Sequence, residues 1–192
     1  EDGIRDDLVT GVQTCALPIS IVPLLGGGGL FETGAGGSAP KHVEQFLKEG
    51  HLRWDSLGEF LALAEALRMI EMKSPNPELS ALTQALDTAN QRYLDEDKTP
   101  SRKCGEPDNK ASHFYIAMYW AQALADSENS SLREYFSPIA KSMEDNEAKI
   151  LQELLASEGS PKDIGGYFHP SDEKASAAMR PSPTWNGILD SI

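Results

Sequence analysis

Apolar residues recur at the spacing of an α-helix through most of the chain, and no other feature constrains the fold as much. Between residues 57 and 70 the apolar side chains fall on one face of a helix with about 3.6 residues per turn. Similar patterns predict helices after Pro40, over residues 79–93, 113–125 and 132–156, and as two short segments after Gly159. The sequence therefore predicts a mainly helical fold with very little strand.

Several residues are typical of helix ends. The stretch Ser56-Leu57-Gly58-Glu59 matches a capping box, which predicts a helix that begins at Leu57. Ser130 or Ser131 is suited to the N-cap of the helix predicted over 132–156. Proline cannot continue a helix, so Pro75-Asn76-Pro77 separates two helices, and the polar residues 95–109 form a loop.

The region before the first helix is rich in glycine. Residues 21–25 are apolar and could form a strand, which Pro23 would confine to a sheet edge. Seven glycines follow between Gly26 and Gly37, a density that indicates close backbone approach or turns with positive φ. A strand and a glycine loop ahead of many helices indicate part of a larger α/β domain.

Residues 34–39 match the dinucleotide fingerprint G-x-G-x-x-G/A, and Asp55 follows at about the distance where that fingerprint has an acid. A true fingerprint directly follows a strand, whereas Phe31-Glu32-Thr33 precedes these glycines. Three interpretations stay open: a dinucleotide site, a more general phosphate site at a helix N-terminus, and a tight loop without a ligand.

Three basic residues are candidates for contact with such a phosphate: His42, Arg53 and Arg102. Arginine offers a rigid fork of donors that suits phosphate oxygens. The alternative is an ion-paired surface role, because 30 acidic residues face only 17 lysines and arginines, for a formal charge of −13. The same charge argues against binding to nucleic acids or anionic membranes.

The sequence gives little support for a disulfide framework, a membrane span or a known catalytic motif. The two cysteines, Cys15 and Cys104, are too few for a disulfide framework, and we expect a reduced, cytoplasmic setting. The longest apolar run, residues 21–25, is far shorter than the ~20 residues that span a bilayer. The chain contains no GxxxxGK[ST], HExxH or GxSxG motif, so no catalytic residue and no metal ligand is predicted.

Residues 1–19 differ from the rest of the chain. EDGIRD and VTGVQTCALPI resemble the in-frame translation of a common sequencing adapter, with Asp7 and Leu8 in the place of a sample index. We interpret residues 1–19 as an artefact and residues 20–192 as native, and we do not expect Ser20 to lie near a natural N-terminus. The alternative is a genuine disordered leader.

Four strings closely resemble monomeric-type NADP-dependent isocitrate dehydrogenase. They are LFETGAGGSAPKH at 30–42, HLRWDSLGEFLALA at 51–64, SRK at 101–103 and SHFYIAMYWAQALA at 112–125. The resemblance covers residues 20–192 but only the C-terminal part of the family enzyme. It implies the mainly helical C-terminal portion of the large, NADP-binding domain of an α/β fold like that of the isocitrate and isopropylmalate dehydrogenases.

The resemblance also implies an activity and a cofactor site. The full-length enzyme would be a monomer that oxidises isocitrate to 2-oxoglutarate and CO₂, reducing NADP with Mg²⁺ or Mn²⁺, and this fragment would be inactive alone. Its cofactor-binding residues would be Gly37, Ser38, His42, Arg53, Asp55 and Arg102, with the metal ligands and catalytic residues outside the fragment. The competing hypothesis is a helical binding module without catalysis that binds phosphate at its glycine loop.

Overall fold

The computed structural model describes residues 39–166 and 169–192, and all regular secondary structure within these ranges is helical. The helices are α1 (Ala39–Glu49), α2 (Leu57–Lys73), α3 (Pro77–Asp95), α4 (Asn109–Ala125), α5 (Ser130–Asp145), α6 (Glu147–Ala156), α7 (Asp172–Met179) and α8 (Pro183–Leu189). The mainly helical prediction is confirmed for these residues. The predicted strand over residues 21–25, the glycine-rich segment and the artefact assigned to residues 1–19 lie outside them.

Helix α4 lies at the centre of the core. The helices on either side of it in the sequence, α3 and α5, pack against it, and α2 packs against α3. Phe114 and Leu124 of α4 are almost fully buried, as are Leu86 and Tyr93 of α3. Burial of a side chain of this size stabilises the folded chain by about 1.5–3 kcal/mol. The contact between α3 and α4 therefore contributes strongly to the stability of the core.

Two helix boundaries differ from the sequence prediction. Asn129, and not Ser130 or Ser131, is the N-cap of α5, because its side chain accepts a hydrogen bond from the Leu132 N–H at 3.1 Å. The single helix predicted over 132–156 is wrong: Asn146 is non-helical and separates α5 from α6. Its side-chain amide donates to the Ser142 carbonyl at 2.8 Å, a local bond that competes with helix continuation.

The predicted capping box at Ser56 is also wrong. The Ser56 side chain makes no capping bond to α2 and instead accepts a hydrogen bond from the Asn109 amide at 2.8 Å. Asp55 takes over part of the capping role, because its carboxylate accepts a hydrogen bond from the Leu57 N–H at 3.0 Å. The start of α2 is therefore tied to the start of α4.

In the ranges 39–166 and 169–192, no helix combines the length and the apolar character needed to cross a membrane.

Candidate functional site

Three of the predicted site residues come from different elements and meet in one region. His42 lies in the first turn of α1, Arg53 lies between α1 and α2, and Arg102 lies in the loop between α3 and α4. Burial lowers the pKa of His42 from its ordinary value of 6.5, and the positive charges of Arg53 and Arg102 lower that pKa further. Both guanidinium groups are thus close enough to act on the same imidazole.

Two polar side chains of this region have unused hydrogen-bonding capacity. His42 Nδ1 and Arg53 Nε are buried and find no partner among residues 39–166 and 169–192. In the same ranges neither Arg53 nor Arg102 forms an ion pair, whereas Arg68, Arg92 and Arg180 all contact carboxylates. The exposed Arg133 also lacks a carboxylate partner in these ranges, so the distinguishing feature of Arg53 and Arg102 is that both lie close to His42, and together they leave a site for an anionic ligand.

The imidazole of His42 is oriented by an aromatic neighbour. The rings of His42 and Trp54 pack edge to face, with centroids 5.2 Å apart and planes at 82°. This contact limits the rotation of the imidazole and places it beside Arg53, the residue that precedes Trp54. His42 can therefore present a ring nitrogen to a ligand with little loss of side-chain freedom.

The N-terminus of α4 holds the backbone on both sides of Arg53. The Asn109 N–H donates to the Leu52 carbonyl at 2.8 Å, and the Leu52 N–H donates to the Asp108 carboxylate at 2.9 Å. The Asn109 side-chain amide donates to the Trp54 carbonyl at 2.7 Å. Because these bonds flank Arg53, its guanidinium extends from a fixed point of the chain.

A buried ion pair reinforces this connection. Lys110 and Asp108 contact each other, and each side chain is only 1% exposed. Lys110 Nζ also donates to the Gly50 carbonyl at 2.9 Å, and Asp108 caps α4 by accepting from the Lys110 N–H at 2.9 Å. The sequence analysis predicted only a polar loop over residues 95–109, and no local pattern indicated that Lys110 is buried.

The loop that carries Arg102 is fixed on the α1 side by two bonds. Gln45 of α1 donates a side-chain hydrogen bond to the Arg102 carbonyl at 3.2 Å. His51 Nε2 lies 2.8 Å from the Ser101 carbonyl oxygen, which can only accept, so this nitrogen carries a hydrogen and donates it. The backbone at Arg102 is therefore anchored at two consecutive carbonyl groups.

The segment after α6 provides a further anchor for the same loop. The Gly105 N–H donates to Glu158 Oε2 at 2.8 Å, and the same oxygen lies 2.8 Å from His51 Nδ1. The His51 side chain is fully buried and that of Glu158 is 2% exposed. No local pattern in the sequence pointed to His51 or to Glu158.

The remaining predicted residues are placed differently. Asp55 is exposed, and its side chain makes one hydrogen bond in the described ranges, the bond to the Leu57 N–H at the start of α2. Gly37 and Ser38 lie outside the described residues. The structure thus brings His42, Arg53 and Arg102 together and gives Asp55 a local structural contact.

Comparison with known proteins matches this chain to one enzyme family. The family model described as monomeric isocitrate dehydrogenase matches residues 7–190. This chain is 57% identical over 177 residues to isocitrate dehydrogenase (NADP) of Azotobacter vinelandii, covering 92% of this chain and 24% of that protein. It is 53% identical over 180 residues to the protein of the same name from Corynebacterium efficiens, covering 93% and 25%.

A third relative is isocitrate dehydrogenase (NADP) 2 of Mycobacterium tuberculosis, with 51% identity over 180 residues that cover 93% of this chain and 24% of that protein. The chain thus spans about a quarter of the length of the curated relatives it matches. The family match begins within residues 1–19, and the adapter origin of those residues stays a prediction.

Proposed function

Because this chain belongs to the monomeric isocitrate dehydrogenase family, we propose that it is the NADP-binding, C-terminal portion of the large domain of an isocitrate dehydrogenase. The whole enzyme would oxidise isocitrate to 2-oxoglutarate and CO₂ and reduce NADP. The large domain would have the α/β fold of the isocitrate and isopropylmalate dehydrogenases, with the described helices as one part of it. The enzyme would act as a monomer in the cytoplasm.

The observation that carries this proposal is the convergence of His42, Arg53 and Arg102 without carboxylate partners in the described ranges. The 2′-phosphate of NADP distinguishes it from NAD and carries about two negative charges, as phosphate monoesters do. Two or three charge-assisted hydrogen bonds of about 1.5–3 kcal/mol each would favour NADP by a hundredfold or more. Arg53 and Arg102 would hold the phosphate oxygens, and His42 would donate a third bond.

The remaining cofactor contacts are proposed from the family resemblance. The backbone of Gly37 and Ser38 would approach the cofactor closely, and the exposed carboxylate of Asp55 would make polar contacts nearby. NADP itself supplies the hydride acceptor. The residues of this chain would bind and orient it, and they would leave proton transfer to other parts of the enzyme.

The metal ion implied for the whole enzyme does not fit this portion. Mg²⁺ and Mn²⁺ prefer oxygen ligands. Among residues 39–166 and 169–192, the one group of three candidate ligands combines His51, Cys104 and Glu158. We therefore place the Mg²⁺ or Mn²⁺ ligands, together with the isocitrate-binding residues, outside the described part of the chain.

Calorimetric titration of the 192-residue chain with NADP, NAD and 2′,5′-ADP tests the proposal. We expect NADP and 2′,5′-ADP to bind more tightly than NAD by about a hundredfold or more. Arg53→Ala and Arg102→Ala should each weaken NADP binding by tenfold or more and leave NAD binding unchanged. In the full-length enzyme, Arg102→Ala should raise the KM for NADP far more than the KM for isocitrate.

Arg133→Ala is a matched control, because Arg133 is exposed and its side chain donates only to the Ser127 carbonyl in the described ranges. This variant should bind NADP like the wild type. Equal affinities for NADP and NAD in the wild-type chain, or an Arg133→Ala effect as large as that of Arg102→Ala, would contradict the proposed phosphate site.

A further inference from the structure

Three potential metal ligands from distant parts of the chain meet behind the Arg102 loop. His51 follows α1, Cys104 lies in the loop between α3 and α4, and Glu158 follows α6. One ligand atom from each residue lies within 4.8 Å of the other two. His51 and Glu158 are almost fully buried, whereas Cys104 is partly exposed, so the group has access to solvent on its cysteine side.

The hydrogen bonds of His51 determine which ring nitrogen faces this group. Its Nε2–H donates to the Ser101 carbonyl, so Nδ1 is the atom that faces Glu158 Oε2 at 2.8 Å. Two lone pairs at this distance would repel, so a proton must lie between Nδ1 and the carboxylate. A nitrogen and an oxygen that share a proton beside a thiol offer a position in which a cation can replace that proton.

We propose that His51 Nδ1, Cys104 Sγ and a Glu158 oxygen bind a thiophilic divalent cation, for which Zn²⁺ is the best match. Zinc commonly takes three protein ligands of the nitrogen, sulfur and oxygen types and completes a tetrahedron with water. Its bonds of about 2.0–2.3 Å require ligand atoms roughly 3.3–3.7 Å apart, so the side chains need to move by about an ångström.

The surroundings of His51 match those of known metal ligands. A histidine that ligates a metal usually donates its other ring N–H to a carboxylate or a backbone carbonyl, which fixes the tautomer and the ring orientation. The bond from His51 Nε2 to the Ser101 carbonyl at 2.8 Å already provides this support. The ring therefore needs no reorientation to present Nδ1 to a cation.

The charges also balance. Without metal, one proton lies between His51 Nδ1 and the Glu158 carboxylate and a second is on the Cys104 thiol, whose pKa is raised by burial together with Glu158 and Glu49. With metal, neutral His51, the Glu158 carboxylate and the Cys104 thiolate offset the two positive charges of the ion. Binding releases these two protons, and the group has zero net charge both with and without the metal. A buried group of zero net charge avoids the large penalty for an isolated buried ion.

The test uses the complete 192-residue chain with Cys15→Ser, so that Cys104 is the one cysteine present. Zn²⁺ is titrated in competition with a chelator, and Cd²⁺ is then added to look for the ultraviolet charge-transfer band of a thiolate ligand. We expect one high-affinity Zn²⁺ per chain, a Cd²⁺–thiolate band, and the loss of both in urea. If the chain binds Zn²⁺ but shows no Cd²⁺–thiolate band, the proposal is wrong.

Variants identify the ligands. Cys104→Ser and Glu158→Gln each change a direct ligand, so each should weaken Zn²⁺ binding by more than the tenfold loss that follows substitution of a residue that only supports a ligand. His42→Gln is the matched control, because it removes a histidine outside the group, and it should bind Zn²⁺ unchanged. Circular dichroism verifies that each variant keeps its helices.

A further measurement leaves the three proposed ligands unchanged, so its result does not depend on whether the ligand variants fold. In the Cys15→Ser chain, Zn²⁺ should slow the alkylation of Cys104 by iodoacetamide at least tenfold. Alkylation at the same rate with and without Zn²⁺ would rule out Cys104 as a ligand. None of these measurements depends on NADP, so the outcome is independent of the proposed function.

Discussion

His51 and Glu158 lie 107 residues apart in the chain, and their side chains meet at 2.8 Å. The same two residues hold the loop between α3 and α4, His51 through the Ser101 carbonyl and Glu158 through the Gly105 N–H. Arg102 lies between these two anchor points. The segment after α6 therefore determines the position of a residue that we assign to the cofactor phosphate.

This arrangement predicts different effects for two substitutions at Glu158. In Glu158→Gln, the amide oxygen can take the place of Oε2, the one carboxylate oxygen that contacts both partners, and it can still accept from the Gly105 N–H and from the His51 Nδ1–H. We expect a loss of less than about 1.5 kcal/mol in the free energy of unfolding. Glu158→Leu removes the bond to the Gly105 N–H and leaves the buried His51 Nδ1 without a partner, and we expect a loss of about 3 kcal/mol or more.

Urea denaturation of the two variants, followed by circular dichroism, measures this difference. Equal destabilisation by Gln and Leu would show that the negative charge of Glu158, and not its hydrogen bonds, stabilises the loop. The expected mildness of Glu158→Gln also makes it a suitable variant for the zinc experiment.

The buried pair of Asp108 and Lys110 gives a second prediction. Asp108→Ala removes the cap of α4 and leaves the Lys110 ammonium buried without its counter-ion. Breaking a buried ion pair in this way costs about 3–5 kcal/mol, and the lost cap contributes to that loss. Urea denaturation should show a loss of this size in the free energy of unfolding.

The double variant Asp108→Asn with Lys110→Met provides the control for that prediction. Asparagine keeps an N-cap acceptor, and methionine is an uncharged side chain of similar length, so no buried charge remains. We expect the double variant to be clearly more stable than Asp108→Ala. If it is equally unstable, the cost comes from lost packing and not from the unpaired charge.

Most of the helical fold could be predicted from the sequence because its signals are local. The apolar spacing between Leu57 and Ile70 and the proline break at Pro77 depend only on neighbouring residues. The division at Asn146 was missed because the apolar pattern continues through it, and only the side-chain bond to the Ser142 carbonyl distinguishes that position.

The sequence predicted three residues that the structure groups in the candidate site, and their role in binding NADP stays a prediction. His42, Arg53 and Arg102 were chosen as phosphate-binding residue types and through the family resemblance, and the structure brings these three together. The supporting residues His51 and Glu158 were missed because they meet through tertiary contacts that leave no pattern in the sequence. Their partners are backbone groups of distant loops, which only the folded chain brings within hydrogen-bonding distance.

The third prediction concerns acid stability at the C-terminal end of the described residues. Glu153 of α6 accepts hydrogen bonds from the Ser182 hydroxyl at 2.6 Å and from the Thr184 hydroxyl at 2.7 Å and N–H at 3.1 Å. The bond from Ser182, followed by those from Thr184, lowers the pKa of Glu153 below its ordinary value of 4.5. The ionised carboxylate thus holds the start of α8 against α6.

A lowered pKa in the folded state fixes the sign of the pH effect. The contribution of Glu153 to stability is present above pH 4.5, the ordinary value, and disappears as the pH falls through the lowered pKa of the folded state. Glu153→Gln should therefore destabilise the chain at neutral pH and have less effect in acid. Urea midpoints of wild type and variant across this range test the prediction, which a pH-independent difference would contradict.

The last prediction concerns proton uptake when NADP binds. Burial, with Arg53 and Arg102 nearby, lowers the pKa of His42 below 6.5, so the imidazole is neutral at pH 7 in the free chain. A phosphate dianion beside His42 favours the charged imidazole and raises its pKa in the complex. Binding of NADP should therefore take up protons, and affinity should increase as the pH falls from the pKa in the complex toward that of the free chain.

Calorimetry in two buffers with different ionisation enthalpies measures this uptake directly. NADP should take up protons, and NAD should take up none, because it lacks the 2′-phosphate. His42→Gln should abolish the part of the uptake that belongs to the imidazole. The NADP phosphate itself titrates near pH 6, but it does so with both proteins, so the difference between wild type and His42→Gln isolates the histidine. Identical proton uptake by the two proteins would remove His42 from the phosphate site.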